Sequence, residues 1–305
     1  MLNKIQILPL DFGKIGIPKR WSLGEKLSQI ENQYGIFEET MICKITGFLI
    51  DIDGKKILAD TGLSLNAIIN PIDALGSDLF GEFPIFADES NFVINQLKQN
   101  GLSVNDVDYI FLSHLHFDHA GGLEQFEQSR IIIGKEALEK LKTEKSTLKT
   151  TLEGNQVFSE PFRYKLEKNK QLICVNDDYI DLFNDGRIII LRADGHTNGH
   201  LSLILFSYKN PSDSIFNYEI FRYFTNALTE RTKNQNSFMK FKNNIEECII
   251  LPFDAIFSEI HYLHEAISEE SCSNHYAAIE SMKLIKKFGN LPNSRIYFPH
   301  NVIDV

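Results

Sequence analysis

Cysteine is scarce. The 305 residues carry four, and they are scattered: Cys43, Cys174, Cys248 and Cys272. No Cys-x-x-Cys pair occurs, which argues against a thiolate zinc site and against a disulfide framework. The expected state is four reduced thiols in a cytoplasmic protein. Long apolar runs are lacking too. No uncharged stretch approaches the roughly 20 residues needed to cross a bilayer, and MLNKIQIL (1–8) has no apolar core of the kind that marks a signal peptide. Positive charge is in deficit: 31 Lys and Arg against 41 Asp and Glu leave a net charge of −10. Such a chain sets up no field able to hold nucleic-acid phosphates or an anionic membrane. Repeats, low-complexity tracts and an evident interdomain linker are also missing, so 1–305 reads as one domain.

The length allows a sizeable core, and 43% hydrophobic with 24% charged residues is an ordinary composition for one. Short β-like runs alternate with helical ones. Strands are expected at KITGFLI (44–50), KILA (56–59), YIFLS (109–113), RIII (130–133), RIIILR (187–192), LSLILF (201–206), CIIL (248–251) and RIYF (295–298). Each is rich in β-branched or aromatic residues and bounded by polar or turn residues. DIDGK (51–55) separates the first two as a hairpin turn. Helices are expected over 91–100, closed by Gly101, over 135–142, and over 276–288, closed by Gly289. This mixture predicts a layered α/β architecture. Two stretches hold no sustained period: 63–90, a lid or loop with Pro71, Pro84, Gly76 and Gly81, and 207–247, an Asn- and Lys-rich insertion punctuated by aromatics. Loops of that length are commonly functional, and the second could pack on a partner chain in a homodimer.

Chemistry concentrates at SHLHFDHAGG (113–122), directly after an apolar run. His114 and His116 are two apart, so on an extended segment both rings project to one side. Asp118 and His119 follow, and Ala120, Gly121 and Gly122 permit a tight turn and close backbone approach. Imidazole with carboxylate suits zinc, iron or manganese and not calcium or magnesium alone. A site built from one segment needs partners. GHTNGH (195–200) offers His196 after a strand, and PHN (299–301) offers His300 after another, the position where open α/β sheets gather ligands. His200 reads as a packing histidine leading the next strand. His261, His264 and His275 lie outside these motifs and read as exposed or lid residues.

The set His-x-His-x-Asp-His (114–119), GHTNGH (195–200) and PHN (299–301), with the earlier DTG of Asp60, Thr61 and Gly62, resembles the metallo-β-lactamase-fold superfamily. Within it, SHLHFDHAGG is most similar to the N-acyl-homoserine-lactone lactonases, the quorum-quenching branch. The resemblance runs from about 43 to 301 and implies a four-layer αβ/βα sandwich of two mixed sheets with a dinuclear metal site at one edge. It implies His114, His116 and His196 around one metal and Asp118, His119 and His300 around the other, with zinc as the leading metal and iron or manganese as alternatives. The family also requires a bridging aspartate. Asn226, in FTNA (224–227), and Asp254, in LPFDA (251–255), compete for that place, and Asp254 is preferred because a strand leads into it and the Asp-Ala pair matches the lactonases. Asp60 is expected to hydrogen-bond a ligand histidine.

The implied reaction is the opening of a lactone or related ester by a hydroxide shared between two metals, with Asp118 orienting it and passing its proton on. No serine or cysteine nucleophile is required. One departure stands out: Phe257 occupies the place of a lactonase tyrosine, so Tyr262 or another tyrosine must reach in, or the substrate is handled differently. Phosphoester, phosphotriester or β-lactam hydrolysis uses the same cage, and a non-catalytic metal-binding module is the reading from another class. Iron redox chemistry of the diiron flavoprotein kind is disfavoured by His116, where a glutamate usually stands.

Overall fold

The computed structural model describes residues 5–34, 39–143, 151, 153–159, 162–163, 172–210, 212, 216, 218–225 and 235–303. Its organisation follows from strands too apolar to face water on either side. Leu201–Tyr208 is buried at every position, as expected of a central strand in a sheet covered on both faces. Among the described residues, one sheet has seven strands: β1 (Gln6–Pro18), β2 (Thr40–Ile52), β3 (Lys55–Ala59), β4 (Ile85–Phe86), β5 (Tyr109–Phe111), β6 (Arg130–Gly134) and β7 (Leu172–Val175), in the order β4-β1-β2-β3-β5-β6-β7. The second has five: β8 (Tyr179–Asp181), β9 (Ile188–Arg192), β10 (Leu201–Tyr208), β11 (Ile245–Leu251) and β12 (Ser294–Ile296), in the order β12-β11-β10-β9-β8. Both are mixed. β3, β5, β6 and β7 run parallel, as do β11 and β12, and the remaining pairs are antiparallel.

Alternation along the strands divides the core into layers. Ile188, Ile190, Leu203 and Leu205 point into a central cluster with Phe253, shared with Phe48, Phe111 and Ile132 of the other half. Their neighbours Ile189, Leu191, Ile204 and Phe206 turn outward onto Met282, Ile285 and Phe288 of the helix His275–Gly289. The outer face of the larger sheet packs against the helices Val93–Gln99 and Lys135–Thr143 through Val93, Leu97, Leu138 and Leu141. The result is helix, sheet, sheet, helix: the four-layer αβ/βα sandwich that the motifs imply.

The expected strands are present, most ending within a residue or two of the expected limits. The turn between β2 and β3 is built on Asp53 (φ 54°) and Gly54 (φ 83°), the left-handed pair that a tight two-residue hairpin requires. β1 is an addition. Its sequence, QILPLDFGKIGIP, is interrupted by prolines and glycines that conceal any alternation. The strand absorbs them by shifting register between Asp11 and Lys14, with Gly13 at φ 102°. β4, β7 and β8 are further additions, each short and weakly patterned.

The two unpatterned stretches have different fates. In 63–90, three short helices (Leu65–Ile69, Pro71–Leu75 and Ser77–Glu82) precede β4. In 207–247, β10 and β11 pair as far as Tyr208 and Ile245. Beyond them, the helices Tyr218–Thr225 and Gln235–Asn244 are described. Phe224 stacks on Phe288 at 4.0 Å and its carbonyl accepts from Lys287 Nζ at 2.6 Å, which ties this excursion to the helix His275–Gly289.

The loop after β9 is held by close backbone packing. Gly195 has φ 137°, and a Cβ there would lie 2.2 Å from the backbone nitrogen of Ala278. Gly195→Ala is therefore expected to destabilise the protein by about 1–3 kcal/mol. Urea unfolding checks this as a lowered midpoint at unchanged slope; an unmoved midpoint would contradict the close approach.

Candidate metal centre

The segment 113–122 leaves the sheet at the end of β5. Ser113 through His116 continue extended, and Phe117–Ala120 coils into a single helical turn that lifts Asp118 and His119 beside the preceding histidines. The small residues have a specific task. Gly121 N donates to Gly62 O at 2.7 Å, and Thr61 N to His119 O at 2.7 Å. A Cβ on Gly121 would sit 2.2 Å from Ser64 N. The Ala-Gly-Gly and Asp-Thr-Gly motifs are thus one closely packed unit.

Three further segments converge on it from strand ends. His196 follows β9, and its carbonyl accepts from Ser273 N at 3.0 Å. Asp254 lies in the turn Phe253–Ala255 directly after β11. His300 follows β12, with its backbone nitrogen donating to Phe257 O at 3.0 Å. Asn226, the competitor for the bridging position, lies outside the described residues.

The donors form two groups, His114, His116, His196 and Asp254 in one and Asp118, His119 and His300 in the other, each able to hold a metal ion. Asp254 faces both. Its Oδ2 is 3.4 Å from His196 Nε2 and 3.7 Å from His114 Nε2, while its Oδ1 is 3.3 Å from both His119 Nε2 and His300 Nε2. Asp118 Oδ2 lies 3.5 Å from the same two nitrogens of the second group. A small divalent ion with bonds of about 2.0–2.2 Å sets neighbouring ligand atoms roughly 3–3.6 Å apart, close to the 3.3–3.7 Å between Asp254 and the imidazoles. Two atoms are orphaned: His114 Nε2 and Asp254 Oδ1 are buried without a hydrogen-bond partner. Such groups are costly to bury, and a cation held in each donor group would remove the cost. The donor set fits a dinuclear site.

The imidazoles are held in the tautomer such a site needs. His119 Nδ1 donates to Asp60 Oδ2 at 2.7 Å, His196 Nδ1 to Ser271 O at 2.7 Å, and His300 Nδ1 to Lys44 O at 2.8 Å. His114 Nδ1 donates to Ser113 Oγ at 3.0 Å, and that hydroxyl donates onward to Asp60 Oδ2 at 2.7 Å. Asp60 Oδ1 accepts from Ser113 N at 2.8 Å. One carboxylate, buried and held at φ 62°, thereby orients a histidine in each group and turns its Nε2 toward the other donors.

Charge is divided between the groups. Burial drives His114 well below the ordinary histidine range and His116 down to about 3. Burial also opposes charge on His119 and His300, but Asp254 with Asp118 overcomes it and raises both. Burial would push Asp254 up, yet those two imidazoles hold it well below the carboxylate range.

Other residues of interest are placed as follows. His200 is fully buried, its ring 5.1 Å from that of His114, outside both donor groups. His264 and His275 are half-buried and belong to neither donor group. The reading of His261 as an exposed or lid residue is incorrect: it is 2% exposed, because the helix Glu259–His264 turns it inward between Ser22 and Ser258. Its ring nitrogens lie 2.7 and 2.8 Å from those hydroxyls, and burial lowers its pKa to about 4. Phe257 is buried with its ring 5.1 Å from that of His196. Tyr262 does not reach in; it packs on Phe298 and under Lys286.

A cavity of about 590 Å³ opens beside the first group, lined by His116, His196, Trp21, Phe83 and Asn155 among others. A smaller recess of about 60 Å³ adjoins the second, lined by Asp118, Asp254 and His300 and by Ile15, Trp21 and Phe257. No tyrosine lines either, among the described residues. Sequence reasoning missed Trp21, Asn155 and Ser271. Trp21 and Ser271 lie outside every motif, and Asn155 bridges to His116 only through backbone pairing.

Removing the shared carboxylate should be felt at both positions. Asp60→Ala is expected to weaken metal binding by about 10–100-fold, read by competition with a chromogenic chelator. Affinity equal to that of the unaltered protein would show that the histidines do not need this orientation.

Comparison with known proteins agrees with the geometry. The model of the metallo-beta-lactamase superfamily matches residues 43–209, more than half of the chain. An N-acyl homoserine lactonase of Bacillus sp is 29% identical over 167 residues, which cover 53% of this chain and 58% of that protein. N-acyl homoserine lactonase AttM of Rhizobium radiobacter is 27% identical over 158 residues, 52% and 58% of the two chains. The chain thus aligns with little more than half the length of these curated relatives. Over nearly the whole chain the fold is similar to that of an N-acyl homoserine lactone hydrolase solved with N-hexanoyl-L-homoserine at its catalytic metal centre. There the TM-score is 0.65 at 19% identity, covering 99% of this chain and 94% of that one. With the donor groups at one edge of an αβ/βα sandwich and the family model matching over the stretch that carries His114, His116, Asp118, His119 and His196, the chain belongs to the metallo-beta-lactamase superfamily.

Proposed function

We propose that this protein is a dinuclear metallohydrolase that opens a lactone or related carboxylic ester, N-acyl homoserine lactones among them. The observation that carries the reading is Asp254, whose two oxygens face two separate sets of imidazoles. His114, His116 and His196 would hold one ion and Asp118, His119 and His300 the other, with Asp254 between them. Zinc is the metal proposed, and iron or manganese suits the same nitrogen and oxygen donors. Two such ions supply Lewis acidity toward a carbonyl oxygen and a water acidic enough to ionise near neutral pH.

The remaining work falls to this chain's side chains. Asp118 turns one oxygen to His119 and His300 and lines the smaller recess. Its other oxygen makes no hydrogen bond among the described residues and is positioned to take a proton from the attacking water and return it to the leaving alkoxide. Trp21 and Phe83 line both the cavity and the smaller recess, and Phe257 joins them in the recess; this aromatic wall suits the apolar part of an ester and excludes water. Phe257 brings no hydroxyl, so the substrate carbonyl is oriented here without a phenol. The lactone preference draws on the relatives named above. A cytoplasmic setting is proposed with it, in keeping with four free cysteines; no described helix is long and apolar enough to cross a membrane.

The deciding assay follows ring opening by pH-stat on lactones of graded acyl length, beside phosphoester and β-lactam panels. Lactone turnover is expected, and turnover confined to phosphoesters would replace this reading with the alternative on the same cage. His116→Ala is expected to abolish turnover while the circular dichroism spectrum is retained. Asp118→Asn should lower kcat by roughly 10²–10⁴; near-unaltered activity in either variant would rule out the mechanism.

A further inference from the structure

The aromatic wall of the cavity is not held by its own packing alone. Trp21 contacts Phe83, Phe257 and His196 with ring centroids at 5.1, 5.7 and 6.3 Å. It sits on the short helix Lys19–Leu23, which reaches the site from the end of β1. Phe257 comes from the opposite side, on the turn after Asp254, and its carbonyl accepts from the backbone nitrogen of His300. The residue after each aromatic is a buried serine: Ser22 after Trp21 and Ser258 after Phe257, at 0% and 1% exposure. His261 lies between them, its Nε2 2.7 Å from Ser22 Oγ and its Nδ1 2.8 Å from Ser258 Oγ.

We propose that His261, bridging Ser22 and Ser258, is a positioning residue that clamps Trp21 and Phe257 together as the substrate-binding wall. The proposal rests on the cavity being the substrate site. The physical basis is the geometry of a neutral imidazole, which carries one donor and one acceptor on opposite edges of a rigid ring. It joins two hydroxyls that no water reaches, and breaking either bond leaves a buried hydroxyl unpaired. The bridge joins distant parts of the chain, Ser22 and His261 being 239 positions apart in sequence. His261 touches no substrate; it acts through the walls.

Trp21 makes the clamp observable, because it is the sole tryptophan of the chain. Its emission and its quenching by acrylamide report whether the wall stays shut, with no reference to turnover. His261→Phe keeps a ring beside Phe257 and removes both hydrogen bonds; Ser22→Ala removes one and is the milder variant. In metal-loaded protein both are expected to shift Trp21 emission to the red and raise its quenching constant, His261→Phe more than Ser22→Ala. With lactone as substrate, KM is expected to rise roughly tenfold in His261→Phe with a smaller change in kcat, the signature of lost uniform binding. Unchanged quenching in both folded variants would overturn the clamp, as would a fall in kcat with KM unmoved. If the unaltered protein opens no ester, the proposed function fails, and the quenching result alone still decides whether His261 holds the wall.

Discussion

Five imidazoles and two carboxylates meet at one edge of the sandwich in two groups, each with its ligand atoms within 4.8 Å of one another, and the rest of the structure is organised by the need to make that tolerable. Buried charge is costly unless compensated. The imidazoles of His119 and His300 hold Asp254 well below the carboxylate range, and His114 Nε2 is buried without a hydrogen-bond partner. Two divalent ions satisfy both conditions together. The constraint explains why rigid strand ends, and not mobile loops, deliver the donors: His114, His196, Asp254 and His300 each follow a strand, so sheet geometry fixes their separation. It also explains the glycines, since Gly121 and Gly195 stand where a Cβ would strike neighbouring backbone.

Asp60 ties the two halves of the donor set together. It accepts from His119 directly and orients His114 through Ser113, so the Asp-Thr-Gly motif acts on both groups without touching either ion position. The long excursions fall into place around this edge. β10 runs away from the site and β11 returns toward it, so chain added between Tyr208 and Ile245 emerges at the opposite end of the sheet, where extra length costs little. By contrast, 63–90 borders the site and supplies Leu79, Glu82 and Phe83 to the cavity.

Much of this was legible in the sequence. The strands of the sandwich are short continuous apolar runs, and such runs announce burial on both faces. The ligand motifs sit at the ends of those runs, which is why His114, His196 and His300 could be gathered before any coordinates. Choosing Asp254 relied on the strand leading into it, and the structure brings Asp254 to the other donors. Less was legible where local signals conflict with tertiary context. β1 hides behind Pro9, Gly13, Gly16 and Pro18, and its pairing with β2 supplies what its composition does not. Trp21 reaches the site only because β1 carries it there. His261 misled because a six-residue helix is too short to display a periodicity, so its inward face could not be read. Its partners are a neighbouring serine and one from the far end of the chain.

The central claim is that Asp254 joins two complete metal positions. Its most direct test is the equilibrium metal content of the purified protein, reconstituted with zinc and measured by elemental analysis against protein concentration. The account predicts a content close to two ions per chain. A content of one, or a protein that cannot be loaded at all, would contradict it.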